Sequence, residues 1–156
     1  MIVVREAVES DIPRVVEMGR DFLTSTKYAQ FTCFNSDAMA AVARLLINDE
    51  NKVLFVAEKD GAVVGMLGLM LYPHPLSGEP FVGELCWWVE PSSRGRIGMM
   101  LLVRGERWAK DSGAFAYQMI APTPEVASMY ERLGFTPVEV SYYKRLRDDE
   151  TESTDD

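Results

Sequence analysis

A glycine-containing turn that joins a strand-like apolar run directly to a helical run most limits what this chain can fold into. The apolar run is FVGELCWWVE (81–90), the turn is PSSRGR (91–96), and IGMMLLVRGERWAKD (97–111) has apolar residues at helical spacing. Where a strand enters a helix in this way, the first backbone N–H groups of the helix lack partners and favour an anion. The turn therefore predicts a fold with both strands and helices. It indicates an anion site, while a surface turn with two solvated arginines remains open.

Four residues at or just after the turn fit a phosphate ligand. Gly95 and Gly98 allow the backbone to approach a ligand closely, and Arg94 and Arg96 add positive charge. The turn is neither a dinucleotide fingerprint nor a P-loop, because it lacks the three spaced glycines of the first and the Gly-Lys-Ser/Thr ending of the second. The sequence thus indicates a pyrophosphate-binding turn of another kind.

The length and charge of the chain predict one folded domain with an acidic end. A chain of 156 residues is long enough for one hydrophobic core. Six acidic residues lie in 148–156, and removing them from the formal charge of −8 leaves −2 for residues 1–147. We expect a folded domain at 1–147 and a disordered tail at 148–156, without the basic face of a nucleic-acid-binding protein.

The N-terminal segment, the longest apolar run and the cysteines predict a cytoplasmic location. MIVVREAVESD (1–11) carries acidic residues where a signal peptide would be basic, and the apolar run 62–72 is too short to span a bilayer. Cys33 and Cys86 show no spacing typical of a disulfide framework or a metal site. We therefore expect free thiols, a reducing compartment, no metal and no membrane partner.

Hydrophobic periodicity predicts ten elements in the order β-α-α-β-β-β-α-β-α-β. Strands are expected at 1–8, 52–58, 62–72, 81–90, 115–121 and 137–146, and helices at 10–23, 36–50, 97–111 and 123–135. The expected helix caps are Ser10 or Asp11, Ser36 or Asp37, and Thr123. Hairpins early in the chain and crossovers late in it predict an α/β (α+β) domain. Its mixed, mostly antiparallel sheet would have six to seven strands flanked by four helices.

The strand, the turn and the later segment ASMYERLGF (127–135) together resemble the GNAT superfamily of N-acetyltransferases. In that family a Q/R-x-x-G-x-G/A loop follows a strand, and the resemblance covers 2–146 in element order, with specific motifs at 83–102 and 123–135. It implies a GNAT-like fold at 1–147, with the pyrophosphate of acetyl-CoA on the turn and its pantetheine arm between two splayed strands. Aligned on Gly98, the Q/R position of the pattern falls on Ser93 and its first glycine on Arg96. Aligned on Arg94 and Gly95 instead, the loop is one residue shorter than the pattern, and we favour this shortened loop.

The resemblance also implies roles for individual residues. The implied cofactor-binding residues are Trp87, Val89, Arg94, Gly95, Arg96, Ile97, Gly98 and Met99. Glu84 at the head of the strand would be the base, and Tyr130, four residues before a glycine, would be the acid next to the cofactor sulfur. Tyr28, Phe31 and His74 are the weaker candidates for contact with the acceptor. Alternative structural roles for Glu84 and Tyr130 are a charged strand end and a packed helix residue.

Acetyl transfer to an amine explains why these residue types would be needed. An aliphatic ammonium has a pKa of about 10, so a base must help to remove its proton near neutral pH. A backbone N–H such as that of Val89 would stabilise the developing oxyanion if a bulge or splay freed it from the ladder. Strand alternation would place Glu84, Cys86 and Trp88 on one face of the sheet.

The sequence therefore predicts an acetyl-CoA-dependent N-acetyltransferase that moves an acetyl group directly to a primary amine of an unidentified small molecule or peptide. The alternative is a catalytically inactive acyl-CoA-binding GNAT-like module. A longer acyl group or a hydroxyl acceptor also remains open. Dimers are common in the family, so a homodimer is an open expectation as well.

Overall fold

The computed structural model describes residues 1–147 as one mixed sheet with helices on both faces. The strands are β1 (Ile2–Glu6), β2 (Lys52–Lys59), β3 (Ala62–Pro73), β4 (Pro80–Val89) and β5 (Ala116–Gln118), and the helices are α1 (Ile12–Thr24), α2 (Ser36–Asn48), α3 (Arg96–Asp111) and α4 (Pro124–Arg132). Short 3-10 turns lie at Glu9–Asp11, Lys27–Gln30 and Pro91–Ser93. The predicted mixed sheet and the four flanking helices are confirmed within these residues.

The sheet has the order β1-β2-β3-β4-β5, with antiparallel pairs except for the parallel pair β4–β5. The prediction of six to seven strands is wrong, because residues 1–147 form five. The predicted last strand, 137–146, forms neither helix nor strand, and the side chains of Val138, Val140 and Tyr142 are exposed. Its alternating pattern is that of a strand, but a strand needs a neighbour to pair with. None lies beside it within the described part of the chain.

Two hydrophobic clusters cover the two faces of the sheet. The first packs α1 and α2 against the face with Leu54, Val56, Met66, Cys86 and Trp88. The second packs α3 against the face with Phe55, Leu67, Leu69, Val82 and Val89. Strand β4 therefore contributes to both clusters, which fixes its position in the sheet from either side.

The sequence predicted the start of α4 correctly and missed the capping residue of α2 by one position. Thr123 caps α4 by accepting the N–H of Val126 at 3.3 Å, as predicted. Helix α2 is instead capped by Asn35, whose side chain accepts the N–H of Ala38. None of the helices in residues 1–147 is long and apolar enough to cross a membrane. The predicted acidic tail, 148–156, lies outside the described residues.

Candidate active site

One edge of β4 is open where the candidate residues lie. The N–H of Glu90 donates to the C=O of Val64 at 2.8 Å, so the neighbouring pair of Val89 and Gly65 directs the Val89 N–H away from β3. On that side β5 pairs only with residues 81–83. From Glu84 to Val89, no strand of the described residues covers this edge. The Val89 N–H therefore has no partner in β3, and its contact with a ligand stays a prediction.

A β-bulge at Leu85 changes the register just before this open edge. Gly68 lies opposite Cys86, but the next residue of β3, Leu69, lies opposite Glu84, so Leu85 is the extra residue. Glu84 therefore pairs across the ladder with a residue of the α3-side cluster, whereas Cys86 belongs to the cluster under α1 and α2. The predicted simple alternation of Glu84, Cys86 and Trp88 is wrong, because the bulge adds one residue between the first two.

Glu84 is a half-buried carboxyl at the start of the open edge. Its Oε1 accepts a long hydrogen bond from the backbone N–H of Ile120 at 3.4 Å. Burial raises the pKa of Glu84 to about 8, because the charged form loses solvation and the single backbone donor offsets only part of that loss. A carboxyl with such a pKa can exchange protons near neutral pH, which suits a general base.

Tyr130 and Glu84 are both hydrogen-bonded to the backbone of Ile120. The Tyr130 hydroxyl donates to the C=O of Ile120 at 3.0 Å, and its ring stacks on Trp87 with centroids 5.8 Å apart. Burial, followed by the charge of Glu84, raises the pKa of Tyr130 well above its usual value. Tyr130 therefore keeps its proton and can act as a hydrogen-bond donor at any physiological pH. The structure brings the two predicted catalytic residues together around Ile120.

Two aromatic residues between α1 and α2, Tyr28 and Phe31, each contact Tyr143 of the C-terminal segment. The ring of Tyr143 lies 5.9 Å from that of Tyr28 and 5.5 Å from that of Phe31. Burial raises the pKa of Tyr28, and Tyr143 and the Glu84 charge add to the shift. The Glu84 charge thus acts on Tyr28. Phe31 belongs to the same aromatic group through its contact with Tyr143.

The turn between β4 and α3 has the backbone geometry of an anion site. Gly95 has φ 101°, which favours glycine, and it precedes the first residue of α3 without any side-chain cap. The first helical hydrogen bond runs from the N–H of Met99 to the C=O of Gly95 at 3.2 Å. The N–H groups of Arg96, Ile97 and Gly98 therefore precede the helical ladder and face the turn.

The predicted turn residues differ in whether their backbone or their side chain is available to a ligand. The side chain of Ile97 is buried in the α3-side cluster, so only its backbone N–H is available to a ligand. The N–H of Met99 is already used within the helix. Arg96 is exposed at the start of α3. Because the loop is short, the backbone of three consecutive residues makes up most of the site.

The side chain of Arg94 is exposed and contacts the end of β4. Its Nε donates to the C=O of Val89 at 2.9 Å, and its guanidinium lies 4.6 Å from the centre of the Trp88 ring. Glu90, next along the chain, forms an ion pair of 2.7 Å with Arg14 of α1. Arg94 therefore holds the turn against β4, and Arg14 holds the end of β4 against α1.

The indole of Trp87 packs between Gly98 of α3 and Tyr130, and its N–H has no hydrogen-bond partner within residues 1–147. A Cβ on Gly98 would lie 3.4 Å from Cζ2 of Trp87, so the glycine permits close packing of helix and indole. The indole Nε1 of Trp87 is buried and has no acceptor among residues 1–147. An unpaired buried donor beside an open strand edge and a helix N-terminus fits a ligand with oxygen acceptors. The residues present therefore fit a CoA-type ligand.

His74 and Cys86 have partners or packing within the fold, and the predicted contact of His74 with the acceptor stays a prediction. Nδ1 of His74 accepts the N–H of Leu76 at 3.2 Å, and the imidazole packs 4.5 Å from Phe81 in the β3–β4 hairpin. Cys86 is buried and burial raises the pKa of its thiol to about 12, which makes it unreactive. No group of three or more metal-ligating side chains occurs within residues 1–147.

The sequence did not indicate three residues that organise the site. Ile120 joins Glu84 and Tyr130 through its backbone, Arg14 holds Glu90, and Tyr143 joins Tyr28 and Phe31. Ile120 contributes only main-chain atoms, so its side chain carries no information about this role. Arg14 and Tyr143 come from elements distant in sequence, and only the folded chain brings them here.

Several solved structures have a fold similar to that of this chain. A transcriptional regulator from Bacillus halodurans C-125 matches with a TM-score of 0.77 and 22% identity, covering 93% of this chain and 99% of the other. Aminoglycoside N-acetyltransferase AAC(6')-Iy in complex with CoA matches with 0.76 and 19%, covering 94% and 95%. A predicted acetyltransferase with acetyl-CoA from Clostridium acetobutylicum matches with 0.77 and 17%, covering 94% and 97%. At these identities the likeness shows the fold.

Sequence comparison identifies the family. Among curated proteins, no significant match to this sequence is found. The sequence model of the Acetyltransferase (GNAT) family matches residues 20–135, a range that begins near the end of α1 and includes the whole of β4, the turn and α4. The protein is therefore a member of the GNAT acetyltransferase family.

Proposed function

We propose that the protein is an N-acetyltransferase that moves an acetyl group from acetyl-CoA directly to a primary amine. The observation that carries the proposal is the convergence of Glu84 and Tyr130 on Ile120, at the open edge of β4 and beside a helix N-terminus. A base, a hydrogen-bond donor and an anion site thus lie along one edge. Direct transfer requires these groups and no covalent enzyme intermediate.

Glu84 takes the proton of the amine in this proposal. With its pKa raised to about 8, the carboxylate is a stronger base than an exposed glutamate, and it becomes the main form of the side chain above about pH 8. The amine nitrogen then forms a bond to the acyl carbon, and the bond from that carbon to sulfur breaks. The amine reacts in its uncharged form, Glu84 holds the proton that it loses, and the CoA sulfur leaves as a thiolate.

Backbone and phenol donors stabilise charge as the acyl group is transferred. The Val89 N–H, on the open edge, is the proposed donor to the acyl oxygen. The Tyr130 hydroxyl, released from Ile120, is the proposed donor to the departing sulfur. The N–H groups of residues 96–98, with Arg96, are proposed to bind the pyrophosphate, and the indole N–H of Trp87 to meet an oxygen of the cofactor arm. The bound acetyl-CoA supplies the activated acyl group.

Arg94 has a different proposed role from the one expected of it. The sequence suggested a phosphate contact, but its Nε binds Val89 and its guanidinium stacks on Trp88. We assign it the positioning of the turn against β4. A cytoplasmic location and an amine of small-molecule or peptide type stay predictions of the sequence.

A catalytically inactive acyl-CoA-binding module is the alternative function. The short loop favours it, because fewer backbone groups surround the phosphates. The arrangement of Glu84 and Tyr130 favours the enzyme, since a module that only binds CoA has no need of a base with a raised pKa.

Thermal unfolding with acetyl-CoA, CoA or ATP, followed by an acetyl-transfer assay on simple alkylamines, tests the proposal. A ligand at a hundred times its Kd should raise the free energy of unfolding by about 2.7 kcal/mol. We expect both CoA species to stabilise the fold and ATP to have little effect. Stabilisation without transfer to any amine would favour the inactive module, and no stabilisation by acetyl-CoA would contradict both functions.

A further inference from the structure

The ladder between β4 and β5 ends one residue before Glu84. Its last pair joins Gly83 to Gln118, and Ile120 lies two residues beyond the end of β5. Ile120 nevertheless forms both of the hydrogen bonds that bring Glu84 and Tyr130 together. Because the ends of a short strand fray more readily than the centre of a sheet, the position of Ile120 depends on what holds Gln118 in place.

A side chain of β3 contacts Gln118 across the intervening strand. The hydroxyl of Tyr72 donates a hydrogen bond to Oε1 of Gln118 at 2.9 Å. Tyr72 belongs to β3 and Gln118 is the last residue of β5, while β4 lies between these two strands in the sheet. The hydrogen bond therefore connects the end of β5 to a central strand that is paired along both of its edges.

Gly83 of β4 provides the space in which these two side chains meet. A Cβ at Gly83 would lie 3.1 Å from Oε1 of Gln118 and 3.1 Å from Cε1 of Tyr72. Those distances are shorter than ordinary van der Waals contacts, so a side chain at this position would displace one of the two groups. The ring of Tyr72 also packs on Phe81 of β4, with ring centres 6.3 Å apart. Phe81 and Gly83 thus place the Tyr72 hydroxyl beside Gln118.

We infer that Tyr72 is a positioning residue for the proposed transfer: by binding Gln118 it holds Ile120 against Glu84 and Tyr130. This inference rests on the proposed function, because it takes those two residues as the base and the hydrogen-bond donor. Tyr72 acts through Gln118 and needs no contact with the substrate. The two partners are 46 positions apart in the chain, and only the strand order of the sheet brings them together.

A double-mutant cycle tests whether the hydrogen bond itself matters. Tyr72→Phe removes the hydroxyl and keeps the ring, and Gln118→Met removes the amide at a similar side-chain length. We expect each variant to lower kcat about three-fold, as for one partly solvated neutral hydrogen bond. The KM for acetyl-CoA should change little, because the anion-binding turn follows the other end of β4. The double variant should be no slower than either single variant. Unchanged kcat in the single variants, or losses that multiply in the double variant, would overturn the inference.

Tyr142→Phe is the matched control for the loss of a phenol hydroxyl. The side chain of Tyr142 is 89% exposed, so this variant should keep the wild-type values of kcat and KM. Equal losses of kcat in Tyr72→Phe and Tyr142→Phe would contradict a role through Gln118. Far-UV circular dichroism at the assay temperature shows whether each variant is folded. Gln118 is exposed, so Gln118→Met still tests the inference if Tyr72→Phe fails to fold.

The amide NMR signal of Ile120 tests the positioning without any turnover. Its N–H donates to Glu84, so in the wild type its chemical shift should change with pH as that carboxyl ionises, and Glu84→Gln should abolish the change. In Tyr72→Phe the change should be smaller than in the wild type, because Ile120 is held less closely to the carboxyl, whereas Tyr142→Phe should match the wild type. An undiminished change in Tyr72→Phe would overturn the inference. The expected NMR results without acetyl transfer to any amine would contradict the proposed function alone.

Discussion

The two edges of β4 differ sharply in how they are closed. On one edge, nine positions of β3 pair with β4, from Gly65 to Pro73, whereas β5 pairs with three positions of the other edge. On the closed edge, β3 contributes side chains to both hydrophobic clusters. The open stretch carries Glu84 and Trp87, both of which interact with Tyr130 of α4. One strand thus has a stabilising edge and an edge with unsatisfied backbone groups. The unpaired stretch of β4 is the stretch at which we propose that the ligand binds.

The ends of β4 show how an open edge can be kept in place. Arg94 and Arg14 contact the end of the strand, through the Val89 C=O and the Glu90 carboxylate respectively. At the other end the bulge at Leu85 marks the point at which β5 and β4 separate. The open stretch between them therefore has fixed ends, which preserves its geometry without a neighbouring strand.

The largest effect on stability is expected on the closed side. Leu67 of β3 is fully buried, and Leu67→Ala should lower the free energy of unfolding by about 3 kcal/mol, since it leaves a cavity in the α3-side cluster. Leu85, at the bulge, is 45% exposed, and Leu85→Ala should cost less than about 0.5 kcal/mol. Urea denaturation of both variants measures the contrast. Equal losses would mean that the two edges do not differ in stability as described.

The largest effect on catalysis is expected at Glu84. Glu84→Gln should lower the transfer rate by about a hundred-fold, the usual contribution of a general base. In the wild type the rate should rise with pH up to about 8, as the carboxyl ionises, and the variant should lose this limb. A limb that is unchanged in Glu84→Gln would place the base elsewhere.

Glu84→Gln should also change how the free energy of unfolding depends on pH, which can be measured apart from the transfer rate. The pKa of Glu84 is raised to about 8 by burial, while that of an unfolded glutamate is about 4.3, so the folded state holds the proton more tightly. The free energy of unfolding of the wild type should therefore fall as pH rises from about 4 to about 8. Glu84→Gln should lack this decrease, which denaturation at several pH values would detect. A parallel decrease in both proteins would contradict the raised pKa.

A smaller catalytic effect is expected at Tyr130. Tyr130→Phe removes the hydroxyl that donates to Ile120 but keeps the ring stacked on Trp87. We expect kcat to fall about ten-fold, the size of one lost hydrogen bond to the departing sulfur, with little change in the thermal shift produced by CoA. An unchanged kcat would exclude Tyr130 from the mechanism. A lost thermal shift would instead show that the hydroxyl supports the fold of the site.

The smallest effect is expected at Arg94. Arg94→Gln removes the contact with the Val89 C=O and the stacking on Trp88, so the turn should be less well positioned. The KM for acetyl-CoA should rise about three-fold, a loss of the size of one exposed cation–π contact, with kcat nearly unchanged. Arg107→Gln, on the outer surface of α3, is the matched control. A fall in kcat without a change in KM would indicate a catalytic rather than a positioning role.

The candidate site could be predicted from the sequence only where its residues are local to one motif. Gly95, Gly98 and the following helix are contiguous, so their pattern predicted the anion-binding turn and the structure has the expected backbone there. Ile120 and Tyr143 could not be predicted, because one acts through main-chain atoms and the other through contacts with residues more than a hundred positions away. Hydrophobic periodicity contains neither kind of information.

By itself the sequence determined the type and order of the elements up to α4, the capping of α4 by Thr123 and the turn that precedes α3. These features depend on residues within a few positions of one another, whose backbone preferences act locally. The tertiary structure alone decided that the sheet stops at five strands, that a bulge falls at Leu85 and that β4 keeps one open edge. Strand pairing and register depend on which distant segment lies alongside, and that is settled only when the side chains of all the elements pack together.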